Sequence, residues 1–178
     1  MTVSAKMPTR LHHTAYVSKD LEATRKFYEE VIGLPLVATW CEQEELFGEV
    51  RTYAHCFFEL ADGSALAFFQ FVEPKDQDLF GPELAESPFI HVALNVDAET
   101  QGGIIERIEE AGIREPETYI LDHGYCKSVY VKDPNRMLLE FTVDAPEAAA
   151  LNKAQRTKAH AELKRWLAGD HTPNNNIR

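Results

Sequence analysis

The chain repeats one short plan twice. The run HTAYV at residues 13–17 lines up with HVALN at residues 91–95, and after each run come a short acidic turn, a helical stretch and a glycine. An offset of about 78 residues relates the two copies. Because a repeat of this length corresponds to one supersecondary unit, we predict an α+β fold of two βαβββ modules.

The segments around the repeats set the expected boundaries. We expect residues 1–10 to form a flexible lead, residues 11–73 the first module and residues 89–144 the second. The polar, proline-flanked stretch 74–88 is the predicted linker. An alanine- and lysine-rich helix with a polar tail is predicted over residues 145–178, packed on the core or on a partner subunit.

Local signals mark the elements of the first module. Asp20 is a suitable N-cap for a helix over residues 20–32, which Gly33 would end. The Asp62-Gly63 pair between two apolar runs predicts a hairpin turn. The acidic run EQEEL at residues 42–46 is predicted to be a solvated face, with a lid over a cavity as the alternative.

Composition excludes several classes of function. The chain has 178 residues, a net charge of -11 and a pI near 5.1, which argues against nucleic acid or an anionic membrane as partner. No apolar run approaches the ~20 residues that span a bilayer, and the first residues lack a signal-peptide core. The three cysteines form no CxxC pair, which suits free thiols. We therefore expect a cytoplasmic protein with a small-molecule substrate.

The stretch HGYCKSVYVKDPNRMLLEFT, at residues 123–142, is typical of a hairpin. Pro134 fixes its own backbone angle, and the flanking Asp133 and Asn135 favour a turn between two strands. Because side chains alternate across a strand, Glu140 lies on the less apolar face of the second strand. A buried carboxylate is costly unless it is paired, hydrogen-bonded or bound to a metal, so Glu140 needs a partner.

The repeat also predicts which strand face carries the histidines. If Val92 and Leu94 face a helix layer, His91 faces away from it, and His13 does the same by the repeat. Both histidines then lie on the same sheet face as Glu140. Two histidines and one carboxylate are the ligands of the 2-His-1-carboxylate site that binds non-haem Fe(II). The alternatives are core histidines bonded to backbone, and an ion pair from a nearby lysine or arginine for Glu140.

Residues 11–143 resemble the vicinal oxygen chelate superfamily, which includes glyoxalases, fosfomycin- and bleomycin-resistance proteins and type I extradiol dioxygenases. The resemblance rests on HHTAYVSKDLEATRKFYEEVIGL, FIHVALNV and SVYVKDPNRMLLEF. It implies paired modules that form a cup-shaped mixed sheet around a divalent metal. Carried over position by position, the implied metal ligands are His13, His91 and Glu140.

A finer resemblance concerns the loop before the last strands. Extradiol dioxygenases have a similar His-Gly, a Tyr, an Asp-Pro turn and the ligand Glu, with the His as acid/base and the Tyr bonded to a substrate oxygen. His123 and Tyr130 match these catalytic residues in type, whereas Arg136 stands where that family usually has glycine in the turn. The alternatives are a solvated loop histidine and a packed strand tyrosine.

The resemblance implies a metal-dependent enzyme, with an Fe(II) extradiol-type dioxygenase that cleaves a catechol-like aromatic as first candidate. The alternatives are a glyoxalase-like isomerase or thiol transferase with Ni, Zn or Mn, and a metal-free module that binds an aromatic drug. Glyoxalases use a fourth ligand from the last strand of the first module, where Gln70 is the polar residue. We expect Gln70 and Asn95 to contact substrate, and the protein to be a homo-oligomer.

Overall fold

The computed structural model describes residues 7–175, which form two compact units. The first unit contains residues 7–86 and the short segment Asp133–Met137. The second unit contains residues 87–132 and 138–175. None of the helices among these described residues has the length and apolar character that a bilayer-spanning segment requires.

The first unit contains a four-stranded mixed sheet with strand order β1-β4-β3-β2. Strand β1 pairs parallel with β4, and the remaining pairs are antiparallel. The elements in chain order are β1 (His13–Val17), α1 (Leu21–Arg25) continuing as a π-helix (Lys26–Ile32), β2 (Leu36–Leu46), β3 (Glu49–Glu59), β4 (Ala65–Phe71) and α2 (Pro74–Phe80).

The second unit repeats this arrangement, with strand order β5-β8-β7-β6 and one parallel pair, β5 with β8. The two sheets confirm the predicted pair of βαβββ modules. A long helix follows the last strand. The elements are β5 (His91–Asn95), α3 (Ala98–Glu110), β6 (Thr118–Asp122), β7 (Cys126–Lys132), β8 (Leu138–Asp144) and α4 (Ala148–Leu167).

The helical stretch formed by α1 and the π-helix begins and ends where the sequence predicts. The side chain of Asp20 accepts a hydrogen bond from the Ala23 amide at 2.9 Å, and Gly33 ends the π-helix with φ 92°. The buried residues of this helical stretch are Thr24, Phe27, Tyr28 and Ile32. Tyr28 is fully buried and packs against Phe58 and Phe68 of the sheet.

The acidic run at residues 42–46 is strand, and residues 42–45 of it are exposed, as expected for a solvated face. It forms the distal half of β2 and pairs in register with β3, from Glu42 opposite Tyr53 to Leu46 opposite Glu49. The hairpin turns at Phe47 and Gly48, both with positive φ. Cross-strand pairing satisfies the backbone, so the glutamates can remain in solvent while the chain stays extended.

The predicted linker at residues 74–88 begins with a helix. Pro74 occupies the first turn of α2, where a missing N–H carries no cost. Asp76 in this helix is buried against Arg51 of β3, with 3.0 Å between the carboxylate and the guanidinium Nε. Sequence periodicity missed this helix because a seven-residue element is held by that ion pair rather than by an apolar stripe of its own.

The segment Asp133–Met137 is fastened within the first unit by buried polar contacts. The Tyr28 hydroxyl donates a hydrogen bond to Oδ2 of Asp133 at 3.0 Å, and Nδ2 of Asn135 donates one to the Thr24 hydroxyl at 3.1 Å. Oδ1 of Asp133 accepts the amide of Asn135 and that of Met137, each at 2.8 Å. Burial raises the pKa of the Asp133 carboxyl.

Candidate metal centre

Glu140 lies in the middle of β8, paired in register with Ala93 of β5 and with Tyr130 of β7. Its side chain is only 9% exposed, so its charge requires specific partners. Oε2 lies 2.9 Å from Nε2 of His91, and Oε1 accepts a hydrogen bond from the Ser128 hydroxyl at 2.6 Å. The two carboxylate oxygens therefore have different partners, and Oε2 is the one directed at the imidazole.

The imidazole of His91 is oriented by the backbone. Its Nδ1 lies 3.0 Å from the carbonyl oxygen of Pro88, which can only accept a hydrogen bond. Nδ1 therefore donates to this carbonyl, and Nε2 is the ring nitrogen that faces Glu140. This arrangement, with one ring nitrogen held by a backbone carbonyl, is the usual support for a metal-binding histidine.

The donor atoms of His91 and Glu140 fit a shared divalent cation. Two ligands with metal bonds of about 2.0–2.1 Å at a right angle have donor atoms about 3 Å apart. The observed separation between Nε2 and Oε2 is 2.9 Å. Among the described residues, however, no group of three or more His, Cys, Asp or Glu side chains is arranged around a common metal position. The second unit thus supplies a pair of donors, one imidazole and one carboxylate.

His13 begins strand β1 in the first unit. It shares a strand face with Ala15 and Val17, whereas Thr14 and Tyr16 lie on the other face. The ring nitrogens Nδ1 of His13 and His12 are 2.7 Å apart, so one of them donates to the other. When His13 donates, its Nε2 carries the lone pair that a metal requires.

His123 and Tyr130 form a hydrogen-bonded pair beside Glu140. Nε2 of His123 lies 3.0 Å from the Tyr130 hydroxyl and 4.0 Å from Oε1 of Glu140. The His123 side chain is 13% exposed, so it is not a solvated loop residue. Burial, and next the charge and hydrogen bonding of Glu140, raise the pKa of Tyr130, which keeps its hydroxyl protonated and able to donate at neutral pH.

The two expected substrate-binding residues have different surroundings. Oε1 of Gln70 accepts the Leu21 amide at 3.1 Å, and its Nε2 donates to the carbonyl of Lys19 at 3.3 Å. Gln70 therefore lies at the β1–α1 connection, where both ends of its side-chain amide bond to backbone groups, and its substrate contact stays a prediction. Asn95 lies on the His91 face of β5, where its amide donates to the carbonyl of Thr142 at 3.3 Å.

The pairing register shows which residue of the first module corresponds to Glu140. Glu140 pairs with Ala93 of β5, and in the first module the residue that pairs with the equivalent Ala15 of β1 is Ala67. The structural counterpart of Glu140 is therefore Ala67, three residues before Gln70. An alanine cannot bind a metal, so strand β4 supplies no fourth ligand at this position.

Two polar residues near the predicted ligands were not singled out by the sequence. Ser128 is fully buried and hydrogen-bonded to Glu140. In the sequence, only its position on the same face of β7 as Tyr130 could have indicated that it lies near the ligands. His55 of β3 stacks on Phe69 at 3.6 Å between ring centroids, and its ring centroid is 6.2 Å from that of His13. Strand alternation from the Asp-Gly turn could have placed His55 on this face.

The first unit contains a cavity of about 540 Å³ on the same sheet face. Ala15, Val17 and Phe69 form one wall, and Phe80 and Leu84 line it from the segment after β4. A volume of this size is within the range of small-molecule sites.

The chain matches the family model described as Glyoxalase/Bleomycin resistance protein/Dioxygenase superfamily over residues 10–141. It therefore belongs to that superfamily, as the repeat, the two sheets and the His91–Glu140 pair indicate. None of the curated proteins matches the sequence.

Solved structures with the same fold include a fosfomycin resistance protein, a lactoylglutathione lyase and a domain described only by its superfamily. The fosfomycin resistance protein FosX from Listeria monocytogenes, complexed with Mn(II) and 1S,2S-dihydroxypropylphosphonic acid, has a TM-score of 0.57 at 20% identity, covering 81% of this chain and 99% of that one. Lactoylglutathione lyase from Agrobacterium tumefaciens has a TM-score of 0.50 at 21% identity, covering 78% and 96%. A glyoxylase/bleomycin resistance protein/dioxygenase domain from Frankia has a TM-score of 0.56 at 15% identity, covering 78% and 100%.

Proposed function

We propose that this protein is a metal-dependent enzyme that acts on a small substrate with two neighbouring oxygen atoms, with His13, His91 and Glu140 as the metal ligands. The observation that carries the proposal is the 2.9 Å separation between Nε2 of His91 and Oε2 of Glu140. The Pro88 carbonyl orients the His91 imidazole, and the Ser128 hydroxyl orients the Glu140 carboxylate. Metal ligands in proteins are commonly held in place by such hydrogen bonds.

The ligand set determines what the metal can contribute. Two neutral imidazoles and one carboxylate leave a divalent ion with a net positive charge and open coordination positions, which suits Fe(II) first and Mn, Ni or Zn as alternatives. When bound, such an ion supplies Lewis-acid activation of a chelating substrate and, for iron, redox chemistry with dioxygen.

The proton chemistry is assigned to the pair of His123 and Tyr130. Nε2 of His123 takes up the proton of a substrate hydroxyl through Tyr130: the Tyr130 hydroxyl passes its own proton to Nε2, 3.0 Å away, and receives the substrate proton in its place. Tyr130 stays protonated and donates a hydrogen bond to the oxyanion that results. The low exposure of both side chains keeps water away from this proton transfer and strengthens the hydrogen bonds.

Among the reactions of the superfamily, extradiol-type cleavage of a catechol-like aromatic has the most support from side chains. It uses an acid/base histidine, a tyrosine donor and the carboxylate ligand, for which His123, Tyr130 and Glu140 are placed in contact distance of one another. A glyoxalase-like reaction is less well supported, because Ala67 occupies the position on β4 that corresponds to Glu140 and cannot serve as the fourth metal ligand. A metal-free drug-binding module would not need chelating side chains at the ligand positions.

A Lewis-acid reaction without oxygen is the second candidate. It is favoured by the fold likeness to a FosX structure that contains Mn(II), and it needs the same three protein ligands. The pair of His123 and Tyr130 would then serve to move a proton during attack on, or rearrangement of, the substrate.

The experiment that separates these candidates is anaerobic loading with Fe(II), Mn(II), Ni(II) or Zn(II), followed by oxygen uptake with a panel of catechols. Oxygen uptake only with Fe(II) supports the dioxygenase, and its loss in Tyr130→Phe with metal binding intact supports the assigned donor. Turnover of a vicinal-oxygen substrate without oxygen uptake supports the Lewis-acid candidate. Absence of tight binding of any divalent metal contradicts both.

The ligand assignment has its own test. His13→Ala, His91→Ala and Glu140→Gln should each weaken metal binding in calorimetric titration by more than about tenfold, the loss expected even for an orienting residue. His160→Ala, which removes an exposed histidine of α4, is the matched control and should bind metal like the parent protein. If His13→Ala binds metal as tightly as the control, His13 is not a ligand.

A further inference from the structure

Helix α4 is a long helix with almost no packing. It has 20 residues, of which only Ala148 is buried. A helix of this length extends about 30 Å. Near its end Leu163, Trp166 and Leu167 are 59%, 56% and 76% exposed. The sequence led us to expect that this helix packs either on the core or on a partner subunit. In the described residues the helix does not pack on the core.

The contacts that α4 makes leave these apolar side chains largely exposed, although the Trp166 ring lies 4.3 Å from that of His171. Arg165 donates to the carboxylate and carbonyl of Asp170 at 2.9 and 3.0 Å, and Asn174 donates to Glu162 at 2.8 Å. These bonds tie the following residues to the last turn. Most helices gain their stability from packing an apolar face on another surface. The exposed side chains of Leu163, Trp166 and Leu167 therefore indicate that the end of α4 binds a partner surface.

Charge restricts what that surface can be. Helix α4 contains five basic residues and one acidic residue, a net charge of +4. Since the whole chain has a net charge of -11, the rest of the chain carries -11 - 4 = -15. A membrane or nucleic acid would attract the helix but would be repelled by the larger acidic body. The body of a second copy of this chain, by contrast, attracts the helix.

The second unit offers a groove of suitable character between helix α3 and edge strand β6. It encloses about 560 Å³ and is lined by Ile105, Ile113 and Ile120, with Glu109 and Glu115 among its polar residues. Ile120 is 50% exposed. Its one basic lining residue, Arg114, directs its guanidinium at the carbonyl oxygens of Glu109 and Ile113.

We propose that α4 docks into the α3–β6 groove of a second copy of this chain, with Leu163, Trp166 and Leu167 on the isoleucines and the lysines of α4 near the groove's carboxylates. Because helix and groove are different surfaces of one unit, a two-fold axis makes the exchange reciprocal and buries two such contacts in each dimer. This proposal is independent of the metal centre.

Trp166 reports directly on the docking. The chain has two tryptophans, so Trp40→Phe leaves Trp166 as the only one. Sedimentation velocity and acrylamide quenching are measured over the same dilution series. We expect a concentration-dependent dimer in which Trp166 is protected from quenching, and exposure of Trp166 as the dimer dissociates. A protein that stays monomeric at all concentrations, or a dimer in which Trp166 is quenched as freely as in the monomer, overturns the proposal.

Paired surface variants test the two halves of the contact. Leu163→Glu on the helix and Ile120→Glu in the groove should each weaken dimerisation by at least about tenfold, and added salt should weaken the parent dimer. Val50→Glu is the matched control, because Val50 is 65% exposed on β3 and lies outside both surfaces. Circular dichroism checks that each variant keeps its helix content. A dimer unaffected by both variants, or weakened equally by Val50→Glu, contradicts the proposal, as does binding of the monomer to anionic vesicles through α4.

Discussion

The hydroxyl of Ser128 donates a hydrogen bond to Oε1 of Glu140 across 2.6 Å, between two residues that lie on neighbouring strands β7 and β8. Ser128 has no solvent exposure, so no water can replace this bond if the hydroxyl is removed. The bond fixes the carboxylate so that its other oxygen, Oε2, faces His91. A single buried serine thus sets which carboxylate oxygen is presented as a donor.

Ser128→Ala should therefore weaken metal binding without removing a ligand. Loss of an outer partner of a metal ligand typically lowers affinity by about 10- to 100-fold. Isothermal titration with the preferred metal measures the effect. Cys56→Ala is the control, since Cys56 is a buried residue of strand β3 in the first unit, outside the unit that contains Glu140. Equal affinities for the two variants would show that the serine does not orient Glu140.

Metal binding should stabilise the folded protein. At a free metal concentration of 100 times the dissociation constant, binding adds about 2.7 kcal/mol to the free energy of unfolding. For a chain of this size the melting temperature should rise by about 5–10 °C. Differential scanning calorimetry with and without a chelator measures the shift. His91→Ala should melt at the same temperature under both conditions, and a metal-dependent shift in that variant would place the binding elsewhere.

The buried carboxyl of Asp133 should make stability fall as pH rises. Burial raises its pKa above the unfolded value of 3.8, so the folded state binds the proton more tightly. Its contribution is fully present below the unfolded pKa and is lost as pH rises through the folded pKa. Asp133→Asn cannot ionise, so the free energy of unfolding of the parent protein relative to this variant should decrease across that window. Urea unfolding at several pH values measures the difference, and a constant difference would contradict this assignment.

Arg136 should be a strained position that glycine relieves. It has φ 68°, in the left-handed region that favours glycine, and its side chain pairs with Glu86 at 2.6 Å. Arg136→Gly and Arg136→Ala both lose that surface pair, but only glycine removes the backbone strain. We expect the glycine variant to be more stable than the alanine variant by about 1 kcal/mol in chemical unfolding. Equal stability of the two variants would show that this turn is not strained.

The sequence was informative wherever a property depends on local periodicity. The repeat of HTAYV and HVALN predicted two modules with the same strand order, and alternation across the strands placed Glu140 on the face of His91. The Asp62-Gly63 turn and the Asp20 cap are likewise properties of a few neighbouring residues. Such features follow from backbone sterics and side-chain alternation, which act within one element.

Only the tertiary structure decided features that depend on pairing between distant segments. Ala67 rather than Gln70 corresponds to Glu140 because strand register is set across the sheet, and a shift of three residues moves a side chain to the opposite face. Tyr28 is buried because its ring packs against Phe58 and Phe68 and its hydroxyl donates a hydrogen bond to Asp133. The bond from Ser128 to Glu140 exists because β7 and β8 pair at that register. Sequence periodicity thus determined which residues share a face, and long-range packing decided which of them meet.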